Sequence, residues 1–281
     1  MRYVLAVAET RNFTRAAEQC FVVQSALSHQ VRKLEDEIGT ALFARNSRRV
    51  ELTSAGEAFL PWARSSLEAA NRAAAEATAA VGVVSGPLTV GLIPTVTALD
   101  VPALLRRVRE EHPRVTAKLR VGASDELISA VREDEIDLAV LGLAEGIIPE
   151  GVAHRVLAKE ALVAAVPDSH RLAHRSTIDL YELAEEPFAD FATGSAGRAQ
   201  SDRAFRAAGL VRQVPYEATT AELIGALVTA GLAVALLPAT FAPTQGARTL
   251  AVQDGPHRTE FLIWNRFQPS PAAKAALHLL V

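Results

Sequence analysis

A chain of 281 residues is long for one ordinary domain and implies about two. Apolar residues make up 49% and charged residues 22%, a globular composition, and no run approaches the ~18 to 20 consecutive apolar residues of a membrane helix. The single cysteine, Cys20, excludes an intrachain disulfide and a cysteine-rich metal site. The N-terminus reaches Glu9 too soon to offer a secretory apolar core, which predicts a cytoplasmic protein. The net charge of −3 is uneven: residues 1–56 hold eight Lys/Arg against six Asp/Glu, net +2, leaving −5 for the rest. A basic end on an acidic body suits nucleic-acid contact by one domain only.

In chain order, Leu5 to Ala8 reads as a short helix stopped by Thr10-Arg11-Asn12. Thr14 looks like the N-cap of the next, with Glu18 near the reciprocal position. A second run, Ser25 to Ile38, carries Ala26, Leu27, Val31, Leu34 and Ile38 on one helical face, and Gly39 ends it. The opposite face presents Gln24, Ser25, Ser28, His29, Arg32 and Lys33, side chains that hydrogen-bond base edges and phosphates. This is the pattern of a helix-turn-helix whose second helix enters the major groove, although a helical hairpin with a solvated face has the same periodicity. The segment 44–52 then reads as a hairpin with Asn46-Ser47 at its tip. Its Arg45, Arg48 and Arg49 make a wing able to track phosphates or enter the minor groove.

Thr53 caps a long helix from Ser54 to about Val83. Phe59, Ala63, Leu67, Ala70, Ala74, Ala77 and Val81 recur every three or four residues, a seam that predicts pairing with a second copy. Pro61 should kink this helix near its start, and Ser85-Gly86-Pro87 marks a boundary.

Beyond it strands and helices alternate. Strands fit Leu88–Ile93, Val115–Val121, Ile136–Leu141, Ala153–Leu157, Ala161–Val166, Phe188–Phe191, Val214–Ala218, Leu232–Leu237, Ala247–Val252 and Phe261–Asn265. Helices fit Val101–Glu111, Asp125–Arg132, Asp179–Leu183, Gly197–Ala208, Ala221–Ala230 and the end from Pro271. Such alternation implies α/β units with one or two largely parallel sheets.

The segments 13–18, 24–35, 42–45 and 52–56 resemble, in order and spacing, the N-terminal signature of LysR-type transcriptional regulators. The remainder is more loosely similar to that family's effector domain, with Gly91 and the run 230–238 as markers. The family's first helix usually begins several residues earlier, Val23 stands where a small polar cap is frequent, Ser25 where proline is, and His29 where arginine is. The resemblance implies a two-domain α+β and α/β chain: a winged helix-turn-helix at 1–56, a dimerising linker helix at 57–85, and a periplasmic-binding-protein-like effector domain at 86–281. Its subdomain I is expected at about 86–160 and 239–281, and subdomain II at about 161–238.

It further implies a homodimer or homotetramer whose recognition helices read an imperfect palindrome in promoter DNA, and a small-molecule effector held between the subdomains. The DNA contacts are then Thr14, Gln24, Ser25, Ser28, His29, Arg32 and Lys33, with Arg45, Arg48 and Arg49 on the wing. Matching the family places Thr95, Val96 and Thr97 on a pocket wall, opposite Ser124, Thr193, Ser195 and Thr219. Hydroxyls and free N–H groups at helix N-termini suit an organic anion such as a carboxylate, while ordinary helix capping accounts for any one of them singly. An enzyme carrying a DNA-binding appendage and a transport solute-binding protein are the rival readings. No nucleophile elbow, phosphate loop, dinucleotide fingerprint or metal-ligand spacing appears, and of the scattered histidines near residue 170 only His170 and His174 are four apart. No cofactor, metal or catalytic residue is therefore expected.

Overall fold

The computed structural model describes residues 1–46 and 49–280, with the backbone alone at residues 45, 46 and 49. The chain divides into two compact units, Met1–Gly82 and Val83–Val281. Among the described residues no helix is long and apolar enough to cross a membrane.

In the first unit, α1 (Arg2–Thr10), α2 (Phe13–Gln19) and α3 (Gln24–Ile38) close around Val4, Val7, Ala16, Ala17, Leu27 and Val31. The first helix is longer than its apolar stretch suggests. Thr10 is still helical, its hydroxyl donating to the Ala6 carbonyl at 2.8 Å, and Arg11 ends the helix in the left-handed region at φ 49°. Thr14 is not the cap of α2. Asn12 is, its side chain accepting from the amides of Thr14 and Arg15.

Two residues expected inside, Ala26 and Ile38, are exposed. The inner stripe of α3 is instead Leu27, Val31 and Glu35, with Leu34 packed beside it. The Glu35 carboxylate accepts from the amides of Leu42 (2.8 Å) and Phe43 (3.2 Å), tying α3 to the strand that follows. That strand, β1 (Phe43–Asn46), pairs antiparallel with β2 (Arg49–Leu52) in the expected hairpin. Asn46, expected at the tip, pairs instead with Arg49, and Ser47 and Arg48 lie outside the described residues.

Thr53 caps α4 (Ser54–Ala79), its hydroxyl accepting from the Gly56 amide. The helix runs through Pro61 and stops earlier than expected, with Gly82 at φ +83° at the unit boundary. Ser85-Gly86-Pro87 lies past the helix end and just beyond the unit boundary. It begins β3 (Ser85–Leu92) and pairs with the start of β4 (Arg114–Val121).

In the second unit β3 runs parallel between β4 and β5 (Leu138–Ala144), joined by α5 (Val101–Glu111) and α6 (Ser124–Arg132) as crossovers. Gly91 lets α6 approach this sheet: a Cβ there would lie 2.7 Å from Leu127 Cδ2. The sheet is mixed rather than largely parallel. β12 (His257–Trp264) lies antiparallel between β5 and β6 (Ala153–Pro167), which is one strand where two were expected. A register irregularity between Glu260 and Phe261 falls opposite Val156–Ala158, beside that apparent break.

The far half of β6 leaves the first lobe and pairs antiparallel with β10 (Ala235–Pro238) and β11 (Ala247–Val252), and β7 (Thr177–Ile178) adds to β11. β8 (Pro187–Phe191) and β9 (Gln213–Ala218) form a separate parallel pair. With α7 (Leu180–Ala184), α8 (Ala196–Ala207) and α9 (Ala221–Thr229) these strands build the second lobe, and α10 (Pro271–His278) packs on the first. Leu250 of β11 is part of the second lobe's core, so the return crossing falls between β11 and β12 and not at residue 239.

Candidate DNA-reading face and effector cavity

On α3 the buried stripe leaves Gln24, Ser25, His29, Arg32 and Lys33 exposed and Ser28 half-buried, one polar face along the helix. Thr14, at the start of α2, is exposed as well. Lys33 sits 4.0 Å from Glu37 in a solvent-exposed pair of little energetic weight. The backbone of Arg45 and Arg49 lies on the hairpin. The turn before α3 was not singled out by sequence, yet it carries Phe21 at φ 57° with 94% of its surface exposed, beside exposed Val23. Glu35 was missed too, because a carboxylate on an apolar stripe looks solvated until the chain folds back over it.

In the second unit a cavity of about 590 Å³ opens between the two lobes. It lies where β3, β5, β8 and β9 deliver their carboxyl ends, the usual place for a ligand in an open α/β sheet. Thr95, Ser124, Thr193, Ser195 and Thr219 all line it. Val96 and Thr97 do not. Val96 turns into the apolar clusters of the first lobe, and the Thr97 hydroxyl lies between the Glu160 and Glu260 carboxylates, with one proton for either.

The lining hydroxyls differ in freedom. Ser124 is buried and exchanges hydrogen bonds with the Gly142 backbone, Ser195 caps α8, and Thr193 donates to Glu217 at 2.6 Å. Thr219 is exposed. Gln200, which sequence did not mark, is 5% exposed, lines the cavity, and donates to the Gly142 carbonyl at 3.0 Å, bridging the lobes. The charged side chains on the wall are Asp125 and Glu126; no Lys, Arg or His lines it among the described residues. A second cleft of about 790 Å³ shares Gln200 and mixes Glu145, Asp179, Asp254, Arg203 and His257. Its opposed charges favour no single ligand class.

A buried ionic relay backs the loop that carries Thr193 and Ser195. Arg212 donates to Asp190 at 2.6 Å and Asp202 at 2.8 Å while its guanidinium stacks on Phe188 and Phe205. Arg198 continues to Asp202 and Glu217, and Glu217 holds Thr193. Burial pushes the Asp190 carboxyl up despite Arg212. Burial works against ionisation of Asp202 too, but hydrogen bonds from Arg212 and Arg198 outweigh it and hold that carboxyl below its ordinary value. Hydrogen bonds from Thr193 hold the Glu217 carboxyl down likewise. The relay fixes one wall of the cavity.

Residues 1–57 match the family model described as bacterial regulatory helix-turn-helix protein, lysR family, and residues 82–281 match LysR substrate binding domain. The chain is 31% identical over 274 residues to the DNA-binding transcriptional dual regulator OxyR of Escherichia coli (strain K12), covering 96% of this chain and 89% of that one. It is 32% identical over 253 residues to the transcriptional dual regulator GltC of Bacillus subtilis (strain 168), covering 90% and 84%. Among solved structures, full-length CbnR complexed with its target DNA is similar at a TM-score of 0.73 and 25% identity, covering 99% of this chain and 96% of that one. A full-length OxyR variant from Pseudomonas aeruginosa gives a TM-score of 0.69 at 26% identity, covering 98% and 91%. The chain belongs to the LysR family of transcriptional regulators, oligomeric proteins that bind promoter DNA through a helix-turn-helix and small-molecule effectors through a second domain.

Proposed function

We propose that α3 enters the major groove with Gln24, Ser28, His29 and Arg32 on base edges or phosphates, and with Thr14, Ser25 and Lys33 on the adjoining backbone. By the sequence reading, Arg45, Arg48 and Arg49 of segment 44–52 add to that contact. The observation that carries this reading is the split of α3 into a buried stripe of Leu27, Val31 and Glu35 and a polar face that is exposed except for half-buried Ser28. The similarity to CbnR, solved on its target DNA, supports it. Replacing Arg32 by alanine removes no buried contact. It should weaken specific binding by about 1–3 kcal/mol and leave the melting temperature alone. Fluorescence anisotropy on the native operator at fixed salt reads this directly, and an unchanged affinity removes Arg32 from the interface.

The effector is a small organic anion held in the cavity between the lobes, with Thr95, Ser124, Thr193, Ser195 and Thr219 around it. The protein works in the cytoplasm as a non-enzymatic regulator. Regulation needs only that the ligand bind one arrangement of the oligomer better than another. The relatives include hydrogen peroxide-inducible genes activators, which raises peroxide as a rival signal. The sulfur-bearing residues here are Met1 and Cys20, both in the first unit, so residues 83–281 have no thiol to oxidise. Thiol oxidation within the second unit is therefore not its signal.

A further inference from the structure

We propose that Arg258 is a positioning residue for effector recognition: it fixes the Thr95 hydroxyl as a hydrogen-bond donor into the cavity, so the effector presents an acceptor oxygen there. This deepens the effector reading above and rests on it.

Arg258 is 2% exposed and sits behind the cavity wall. Its Nη1 donates to the Thr95 hydroxyl at 2.7 Å, and its Nη2 donates to the Thr95 carbonyl at 2.8 Å. A guanidinium has donors only, so the Thr95 oxygen must accept. A threonine hydroxyl owns one proton, and with the guanidinium on a lone pair that proton turns elsewhere. Among the described residues none accepts it, and Thr95, itself 6% exposed, opens onto the cavity. The free donor therefore faces the ligand space, polarised by the cation behind it.

Arg258 does not act as a plain counter-charge. Glu260 accepts from its Nη2 at 2.6 Å and Glu160 from its Nε at 2.8 Å, so its charge is answered within the protein. What reaches the cavity is direction. Glu260 also accepts from the amides of Thr97 and Ala98, which pins the loop carrying Thr95 to β12. Asp125 and Glu126 are the charged groups on the wall, so an acceptor such as a carboxylate is placed by the Thr95 donor rather than by a cation.

Calorimetry on the full-length protein tests this with small carboxylates, each paired with the amine and the alcohol of the same carbon skeleton. At least one carboxylate is expected to bind ten-fold or more tightly than its partners. Thr95→Val should remove about ten-fold of that preference, and Thr95→Ser should keep it. Arg258→Lys keeps a charge between the two glutamates but loses the fork, and should remove as much. The double variant Thr95→Val with Arg258→Lys should lose no more than Thr95→Val alone, because the two residues act through one hydroxyl. A purely structural arginine gives additive losses instead, which overturns the proposal. If Arg258→Lys does not fold, the Thr95→Val and Thr95→Ser pair still decides: equal preference in both overturns it. Ala192→Trp, which fills the cavity mouth, separates the two readings. A carboxylate that binds this variant as it binds the parent sits elsewhere, and the cavity reading falls. One that Ala192→Trp blocks but Thr95→Val and Arg258→Lys leave alone overturns only the orienting role. A protein that prefers amines or alcohols, or binds none of the panel, overturns the acceptor assignment.

Discussion

Gly56→Ala is expected to unfold the first unit. The added Cβ would lie 2.1 Å from the Leu42 carbonyl oxygen and 2.9 Å from Leu52 Cδ2. Neither the helix start nor the strand can yield cheaply. The same Leu42 carbonyl accepts from the Thr53 amide at 3.0 Å, the Thr53 hydroxyl donates to the Ala41 carbonyl at 2.7 Å, and Glu35 holds the Leu42 amide. The methyl must push backbone against backbone in a closed network. A loss of about 3 kcal/mol or more follows, at the upper end of what one methyl does in a packed core. Hydrogen exchange over residues 13–38, followed by mass spectrometry, should change from protected to nearly free while the second unit stays protected. Protection within about 0.5 kcal/mol of the parent would show that Leu42 and Gly56 are not in the contact described.

Charging the α4 seam is expected to abolish pairing of the chains. Ala70, Ala74 and Ala77 are exposed along α4, although Ala63 on the same stripe is buried and Leu67 half-buried. An exposed apolar stripe that continues a buried one is what a second copy of the helix would cover. Ala70→Glu with Ala74→Glu costs an isolated helix little, since glutamate is a good helix former and like charges four apart cost only a few tenths of a kcal/mol. At a paired seam the same change buries unpartnered carboxylates, and about 3 kcal/mol, or 100-fold in the dissociation constant, is a modest expectation. Multi-angle light scattering should give half the parent's mass or less, with circular dichroism unchanged. A parent-like mass would exclude this seam as the interface.

Much of the fold was legible because its signals are local. The helix at Val101–Glu111 carries apolar residues at helical spacing, and Asp100 caps it. Ala247–Val252 is bounded by glycine on one side and by Gln253 to Gly255 on the other. The polar face of α3 and the hydroxyls at the starts of α6, α8 and α9 could be read the same way. What sequence hid was long-range. The direction of β12 relative to β5 leaves no mark on a strand's own pattern, and His257, Arg258 and Glu260 made its first half look like a loop. Arg258 becomes intelligible only beside Glu160, 98 positions away, and Thr95, 163 away. The Asn12 cap was missed for a smaller reason: Thr14 and Asn12 both suit the role, and the choice depends on where Arg11 turns left-handed.

Selection of duplexes from a random pool by the full-length protein tests the central account most directly. Two copies of α3 reading one face of B-DNA require half-sites related by a dyad and separated by about one helical turn, or a multiple of it. The account predicts enrichment of such an imperfect palindrome, and loss of that enrichment by Arg32→Ala. Enrichment of no sequence, or of a motif without a dyad that Arg32→Ala leaves intact, would contradict it.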